Sequence, residues 1–179
     1  MAERDLPKVE IRVRFPLPAP IRYMAKSNKK KKQVIVAVSG GFDPVHVGHV
    51  RLFQEAKKLG DKLIVIVNND NWLQAKKGYV FMPQGERKEI LEAFASIDKV
   101  IFTNHPKNPK DMSVCQELLK IKPDIFARGG DRQLKTLPEQ EIKACQTIGC
   151  KIVCNVGKGG KVQSSSWLAQ KLLSSFKKK

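Results

Sequence analysis

The stretch Val34-Ile35-Val36-Ala37-Val38-Ser39-Gly40-Gly41-Phe42-Asp43-Pro44-Val45-His46-Val47-Gly48-His49 decides the fold. Its first five residues form an unbroken apolar run, as expected of a strand buried on both faces of a parallel sheet. Ser39-Gly40-Gly41 closes the strand. Helical spacing then runs from His46 to Leu59, with Gly60 expected as the glycine just past the helix end. Glycines 40 and 41 let backbone approach a ligand closely, and the helix N-terminus behind them favours anions. His46 and His49 are three apart and share a helical face, and Gly48 between them adds no side chain to block a phosphate. Two imidazoles so placed can donate hydrogen bonds to phosphate oxygens whose charge grows in a transition state.

Working outward, strand and helix patterns alternate. Leu63–Val67 is a second buried strand, closed by Asn68-Asn69-Asp70. Arg87–Ile97 reads as a helix with Ile90, Leu91, Phe94 and Ile97 on one face. Val100–Phe102, Asp124–Ala127 and Lys151–Cys154 are further strands, and Met112–Ile121, Pro138–Ile148 and Ser166–Phe176 further helices. The alternation predicts an α/β fold: a Rossmann-like, doubly wound, five-stranded parallel sheet with helices on both faces. Ligands of such sheets bind beyond the carboxyl ends of the strands.

The 179 residues suit one domain with a short appendage. Residues 1–32 are expected to form a basic, proline-containing extension, with a short strand over 9–15, before a domain at 33–176 and a basic tail at 177–179. The net charge is +17, of which residues 1–32 carry +7 and the last three residues +3. Such a balance points to anionic partners. No apolar run is long enough to span a bilayer, and the first residues lack the apolar core of a signal peptide. Cys115, Cys145, Cys150 and Cys154 form no C-x-x-C pair, which suggests reduced thiols in a cytoplasmic protein and no protein-held metal.

The motif Gly40-Gly41-Phe42-Asp43-Pro44-x-His46-x-Gly48-His49 resembles the signature of the HxGH nucleotidyltransferases. More narrowly, residues 34–173 resemble the cytidylyltransferase-like family, which includes glycerol-3-phosphate cytidylyltransferase and the adenylyltransferase domain that makes ADP-heptose. The resemblance extends through Glu86-Arg87, Ile97-Asp98-Lys99-Val100, Arg128-Gly129-Gly130-Asp131 and Ser164-Ser165-Ser166. It implies attack by a substrate phosphate on the α-phosphorus of ATP or CTP, with Mg²⁺ carried by the nucleotide and pyrophosphate leaving. His46 and His49 would hold the triphosphate and stabilise the transition state. Lys76 or Lys77, in the loop after the second strand, would reach over the phosphates, with Lys77 as the catalytic choice. Ser39, Gly40, Gly41, Phe42, Gly48, Arg87, Arg128, Gly129, Asp131, Ser164, Ser165 and Ser166 would line the nucleotide site. Asp43, Asn68 and Asp70 would face the second substrate, although Asp43 could equally hold its loop.

Two departures bear on the nucleotide. Ala95-Ser96-Ile97-Asp98-Lys99-Val100 lacks the arginine of the Arg-Tyr-Val-Asp-Glu-Val found in glycerol-phosphate and choline enzymes. The segment 156–164 lacks the phosphate-touching arginine of that group, leaving Lys158 or Lys161 to stand in. Both lean towards adenylyl transfer. The expected acceptor is a small phosphorylated sugar or alcohol. One alternative is an adenylyltransferase of the FAD-synthetase kind, which the Arg-Gly-Gly-Asp loop makes less attractive. Another is a fold-retaining protein that binds nucleic acid through its basic ends. Family members often form homodimers. Deleting residues 1–32 should spare nucleotidyl transfer and abolish any polyanion binding. A salt titration of both activities checks this, because phosphate contacts weaken steeply with salt.

Overall fold

The computed structural model describes residues 32–130, 134–157 and 163–176. The strand expected over 9–15, the tail 177–179, Asp131, Lys158 and Lys161 lie outside the described residues. Strands β1 (Ile35–Gly40), β2 (Lys62–Val67), β3 (Lys99–Phe102), β4 (Ile125–Gly129) and β5 (Lys151–Val156) form one parallel sheet in the order β3-β2-β1-β4-β5. Helices α1 (Val47–Lys57), α2 (Asp70–Lys77), α3 (Gln84–Glu92), α4 (Cys115–Ile121), α5 (Glu139–Ile148) and α6 (Ser165–Phe176) alternate with them. The doubly wound α/β sheet is therefore as the alternation predicts. Its order reverses between β1 and β4, so a crevice opens beyond Gly40 and Gly129.

Side-chain alternation along β1 builds the two layers of core. Val36 and Val38 pack with Leu52, Phe53 and Ala56 of α1 and Leu91 of α3. Ala37 packs on the other face with Leu118 of α4 and Ala144 and Cys145 of α5. At the amino edge, an aspartate just before each of three strands accepts a backbone N–H from or just before a neighbouring strand. Asp61 takes Val34 N at 2.7 Å, Asp98 takes Leu63 N at 2.6 Å and Asp124 takes Ile35 N at 2.9 Å.

Several boundaries differ from expectation for physical reasons. β1 and β4 continue through Gly40 and Gly129, because neighbouring strands supply ladder partners that local propensity does not reveal. α2 was read as loop. It is short and polar but is nucleated by Asn69, whose side chain caps Trp72 N at 3.0 Å, and it ends on Gly78 in the left-handed conformation. α3 starts earlier, behind Pro83, and turns Ile90 to solvent while Arg87 and Leu91 face inward. α4 begins only at Cys115, because Asp111 takes Ser113 N into a turn at 2.8 Å.

Gly60 is not a left-handed helix terminator, since α1 ends at Lys57 with an ordinary right-handed cap at Lys58. Glycine is needed there for close approach: an added Cβ would lie 2.7 Å from Val36 Cγ2 and 2.8 Å from Val34 O. Gly60→Ala should therefore destabilise the fold by about 1–3 kcal/mol, read as a lower urea midpoint at unchanged slope.

Candidate active site

His46 is the N-cap residue of α1, with extended backbone at φ −147°. Its Nδ1 accepts Gly48 N at 3.1 Å, and His49 Nδ1 accepts His46 N at 3.3 Å. Imidazoles thus fill the capping-box positions that serine and glutamate usually hold. The rings stack with centroids 3.7 Å apart, and Phe42 meets His49 edge-on at 5.0 Å. A nitrogen that accepts an amide proton carries none itself, so these bonds assign both protons to Nε2. Burial pushes the His49 pKa down to about 3, helped by the neighbouring His46 and Lys77. Burial also lowers His46, with Lys77 adding to the effect against a bond to its own backbone. At neutral pH the site holds two neutral rings, each offering an Nε2–H donor.

Lys77, the last residue of α2, donates to Asp43 O at 2.7 Å. Burial lowers its pKa, opposed by Asp43 and assisted by the Arg87 charge. Lys76 is exposed, so of the two lysines it is Lys77 that joins the imidazoles. Neither lies in a loop, because α2 places them. α6 begins beside this centre: Ser165 Oγ donates to Pro44 O at 3.0 Å and Ser164 O accepts Leu168 N. Across the crevice, Arg128 Nη1 donates to Ser39 Oγ at 2.7 Å. The same nitrogen stands 3.5 Å from Glu141 Oε2, an ion pair without hydrogen-bond geometry. Gly40 and Gly41 leave no room for side chains, since a Cβ would press on the Phe42 ring or lie 2.8 Å from Leu73 Cδ2.

Three residues expected to touch ligand, Asp43, Asp70 and Arg87, have their charged groups bonded to protein. Asp43 is fully buried, and its carboxylate accepts Phe81 N at 2.9 Å and Met82 N at 2.7 Å. Arg87 is fully buried and donates to Gly41 O, Asn68 O, Met82 O and Asp70 Oδ1. Asp70 and Gln84 exchange two bonds, Asp70 N to Gln84 Oε1 and Gln84 N to Asp70 Oδ2. Asn68 is buried, its carbonyl held by Arg87 and its Oδ1 without a protein partner. A buried charge must be bonded, so Asp43 and Arg87, with Asp70 as the partner of Arg87, shape the site from behind. Gln84 was missed, and only its place behind a proline at a helix start signalled it. His105, given no role in advance, links Thr103 Oγ1 at 2.8 Å to Ser113 O at 3.1 Å. A cavity of about 230 Å³ beyond β3, lined by Asn104, His105, Lys110, Asp111 and Glu117, contains none of the expected site residues.

Stacked neutral donors at a helix N-terminus, a neighbouring ammonium and a glycine-lined crevice suit a polyphosphate. Residues 37–167 match the family model described as cytidylyltransferase-like. The chain belongs to the cytidylyltransferase-like family. It is a nucleotidyltransferase. Among its relatives, the FAD synthase of Thermococcus sibiricus is 31% identical over 150 residues, covering 82% of this chain and 97% of that protein. The bifunctional protein HldE of Nitratiruptor is 36% identical over 125 residues, 68% of this chain but 26% of that protein. The crystal structure of a lipopolysaccharide core biosynthesis protein from Thermoplasma volcanium superposes with a TM-score of 0.57 at 26% identity, covering 70% of this chain and 98% of the other.

Cytidylyltransferase-like enzymes typically need a divalent metal. Among the described residues no three His, Cys, Asp or Glu side chains cluster to hold one. The nearest carboxylate, Asp43, already accepts two amides.

The neutral His49 has a pH consequence. Unfolded chain takes up its proton near the ordinary value of 6.5, whereas folded chain does so only near 3. The stability that the neutral ring contributes is thus complete above 6.5 and lost progressively as pH falls towards 3. Relative to His49→Gln, wild type should lose on the order of a few kcal/mol more stability between pH 7 and pH 4, measured by denaturant titration.

Proposed function

We propose that this chain transfers the AMP group of ATP, presented with Mg²⁺, to the phosphate of FMN, giving FAD and pyrophosphate. The observation that carries the proposal is the similarity to an FAD synthase along 97% of that protein's length. An FMN phosphate oxygen attacks the α-phosphorus. The bond from that phosphorus to the bridging oxygen breaks, and its electron pair leaves with pyrophosphate. No covalent enzyme intermediate is needed, so positioning and charge stabilisation are the protein's work.

His46 and His49 donate from Nε2 to the α-phosphate oxygens as charge builds on them. Being neutral, each ring keeps Nδ1 as the acceptor for a cap amide while its Nε2–H donates. Lys77 supplies a point charge to the phosphates once it leaves the Asp43 carbonyl. Ser39, Gly40, Gly41, the backbone of Phe42 and Gly48 line the triphosphate path. Arg128, Gly129 and the first turn of α6 at Ser164, Ser165 and Ser166 take the nucleoside side, where free helix amides favour anions. Asp43, Asn68, Asp70 and Arg87 position these groups from behind. The four unpaired cysteines suit a reducing, cytoplasmic setting.

The HldE match and the Arg128-Gly129-Gly130 turn favour a second reading, adenylyl transfer to a sugar phosphate. Full-length protein incubated with Mg²⁺, ATP or CTP, and FMN, a heptose phosphate or glycerol 3-phosphate separates the two by product chromatography. FAD from ATP and FMN is the expected result. A nucleotide-sugar with no FAD overturns it in favour of the second reading. His46→Ala and His49→Ala should each cost about 10²–10³-fold in kcat. Unchanged turnover in both would remove the imidazoles from the mechanism.

A further inference from the structure

Among the described residues the exposed aromatic side chains are Tyr79, Phe81 and Trp167, at 38%, 53% and 49% exposure. All three belong to segments tied to the Asp43-Pro44 turn: Phe81 N bonds the Asp43 carboxylate, Tyr79 neighbours Lys77, which bonds Asp43 O, and Trp167 follows Ser165, which bonds Pro44 O. Trp167 lies in the first turn of α6, which Ser165 ties to Pro44. Tyr79 and Phe81 lie on the other flank, in the segment joining α2 to α3. That segment is held firmly: Gly78 closes α2 at φ 78°, and the buried Asp43 carboxylate takes two successive amides, Phe81 N and Met82 N. Lys77 Nζ is 5.8 Å from the Tyr79 ring centre while donating to Asp43 O. The aromatic pair therefore neighbours the ammonium assigned to phosphate.

The fold buries Phe42, Phe53 and Phe126, and packs Phe94 and Phe102 against its core. Leaving Phe81 half in water on a pinned backbone forgoes burial that the other rings obtain. Apolar exposure beside a polar centre marks a binding surface. Arg128 and the first turn of α6, which carries the exposed Trp167, are assigned above to the nucleoside. Tyr79 and Phe81 belong instead to the segment that follows Lys77.

We propose that Tyr79 and Phe81 form a platform on which the planar ring system of the acceptor stacks, beside the Lys77 and imidazole groups that serve the reacting phosphates. The proposal rests on the flavin acceptor argued above and adds the residues that select it. An isoalloxazine offers a broad π-face to two rings, whereas a sugar or glycerol phosphate offers none. The platform is a specificity device for planar acceptors, separate from the phosphate chemistry.

The test uses full-length protein as wild type, Tyr79→Leu, Phe81→Leu and the double variant, with Tyr79→Phe and Phe81→Tyr as conservative controls. FMN fluorescence reports stacking directly by quenching. Each leucine variant should raise the Kd and KM for FMN about tenfold. The KM for ATP, the thermal midpoint and the conservative variants should hold at wild-type values. Riboflavin, which has the ring but no phosphate, should lose affinity by the same factor. Unchanged FMN binding in the double variant, in an enzyme that still makes FAD, overturns the platform and leaves the flavin acceptor standing. A raised KM for ATP instead assigns the rings to adenine, and a loss of dimer in sedimentation assigns them to a second copy. Either result overturns the proposal. Wild type that neither binds nor converts FMN removes platform and acceptor together.

Discussion

One buried cation organises the working edge of this molecule. Arg87 Nη1 reaches Gly41 O at 2.6 Å and Asn68 O at 2.7 Å, Nε reaches Met82 O at 3.0 Å, and Nη2 reaches Asp70 Oδ1 at 2.6 Å. Taking a guanidinium out of water is costly unless such bonds replace its hydration. Here they come from the loops leaving β1 and β2, the start of α2 and the entry to α3. The loop after β1, the junction of β2 and α2, and the entry to α3 are thereby fixed to one planar fork. The same charge stands near Lys77 and favours its neutral form. An incoming polyphosphate would act in the opposite direction and favour the ammonium.

Capping and the proposed catalysis fall to the same two rings at the start of α1. Serine or aspartate would satisfy its first amides equally well. Imidazole satisfies them with Nδ1 and keeps a second nitrogen for other use. Local folding therefore sets the tautomer, and the tautomer sets what each ring can do to an anion. Phe42 closes the back of the pair, which deepens the desolvation that keeps His49 neutral.

Most of the architecture was legible because periodicity reports burial. The run Val34–Val38 and the glycines after it located both β1 and the crevice, and Gly149 ended α5 as its left-handed conformation allows. The failures share a cause. α2 is short, polar and held by Arg87 and Gln84, partners that lie more than ten residues away. Asp43, Asp70 and Arg87 bear charges that look free in a sequence, and only the fold shows what they are bonded to. Ile90 shares a face with Phe94 and Ile97 only on a helix that reaches Ile97; α3 stops at Glu92, Phe94 and Ile97 reach the core from beyond it, and Ile90 is left in solvent. The motif named the chemistry but not its back wall, which is built from contacts of long sequence separation.

The aspartates at 61, 98 and 124 all act on the edge of the sheet opposite the crevice. These side-chain to main-chain bonds support strand register from the end of the sheet away from the crevice. The crevice loops therefore do not carry that alignment alone. The fold can serve as a chassis: a lineage could exchange the segment between α2 and α3, and with it the preferred acceptor, while the sheet beneath stays in register.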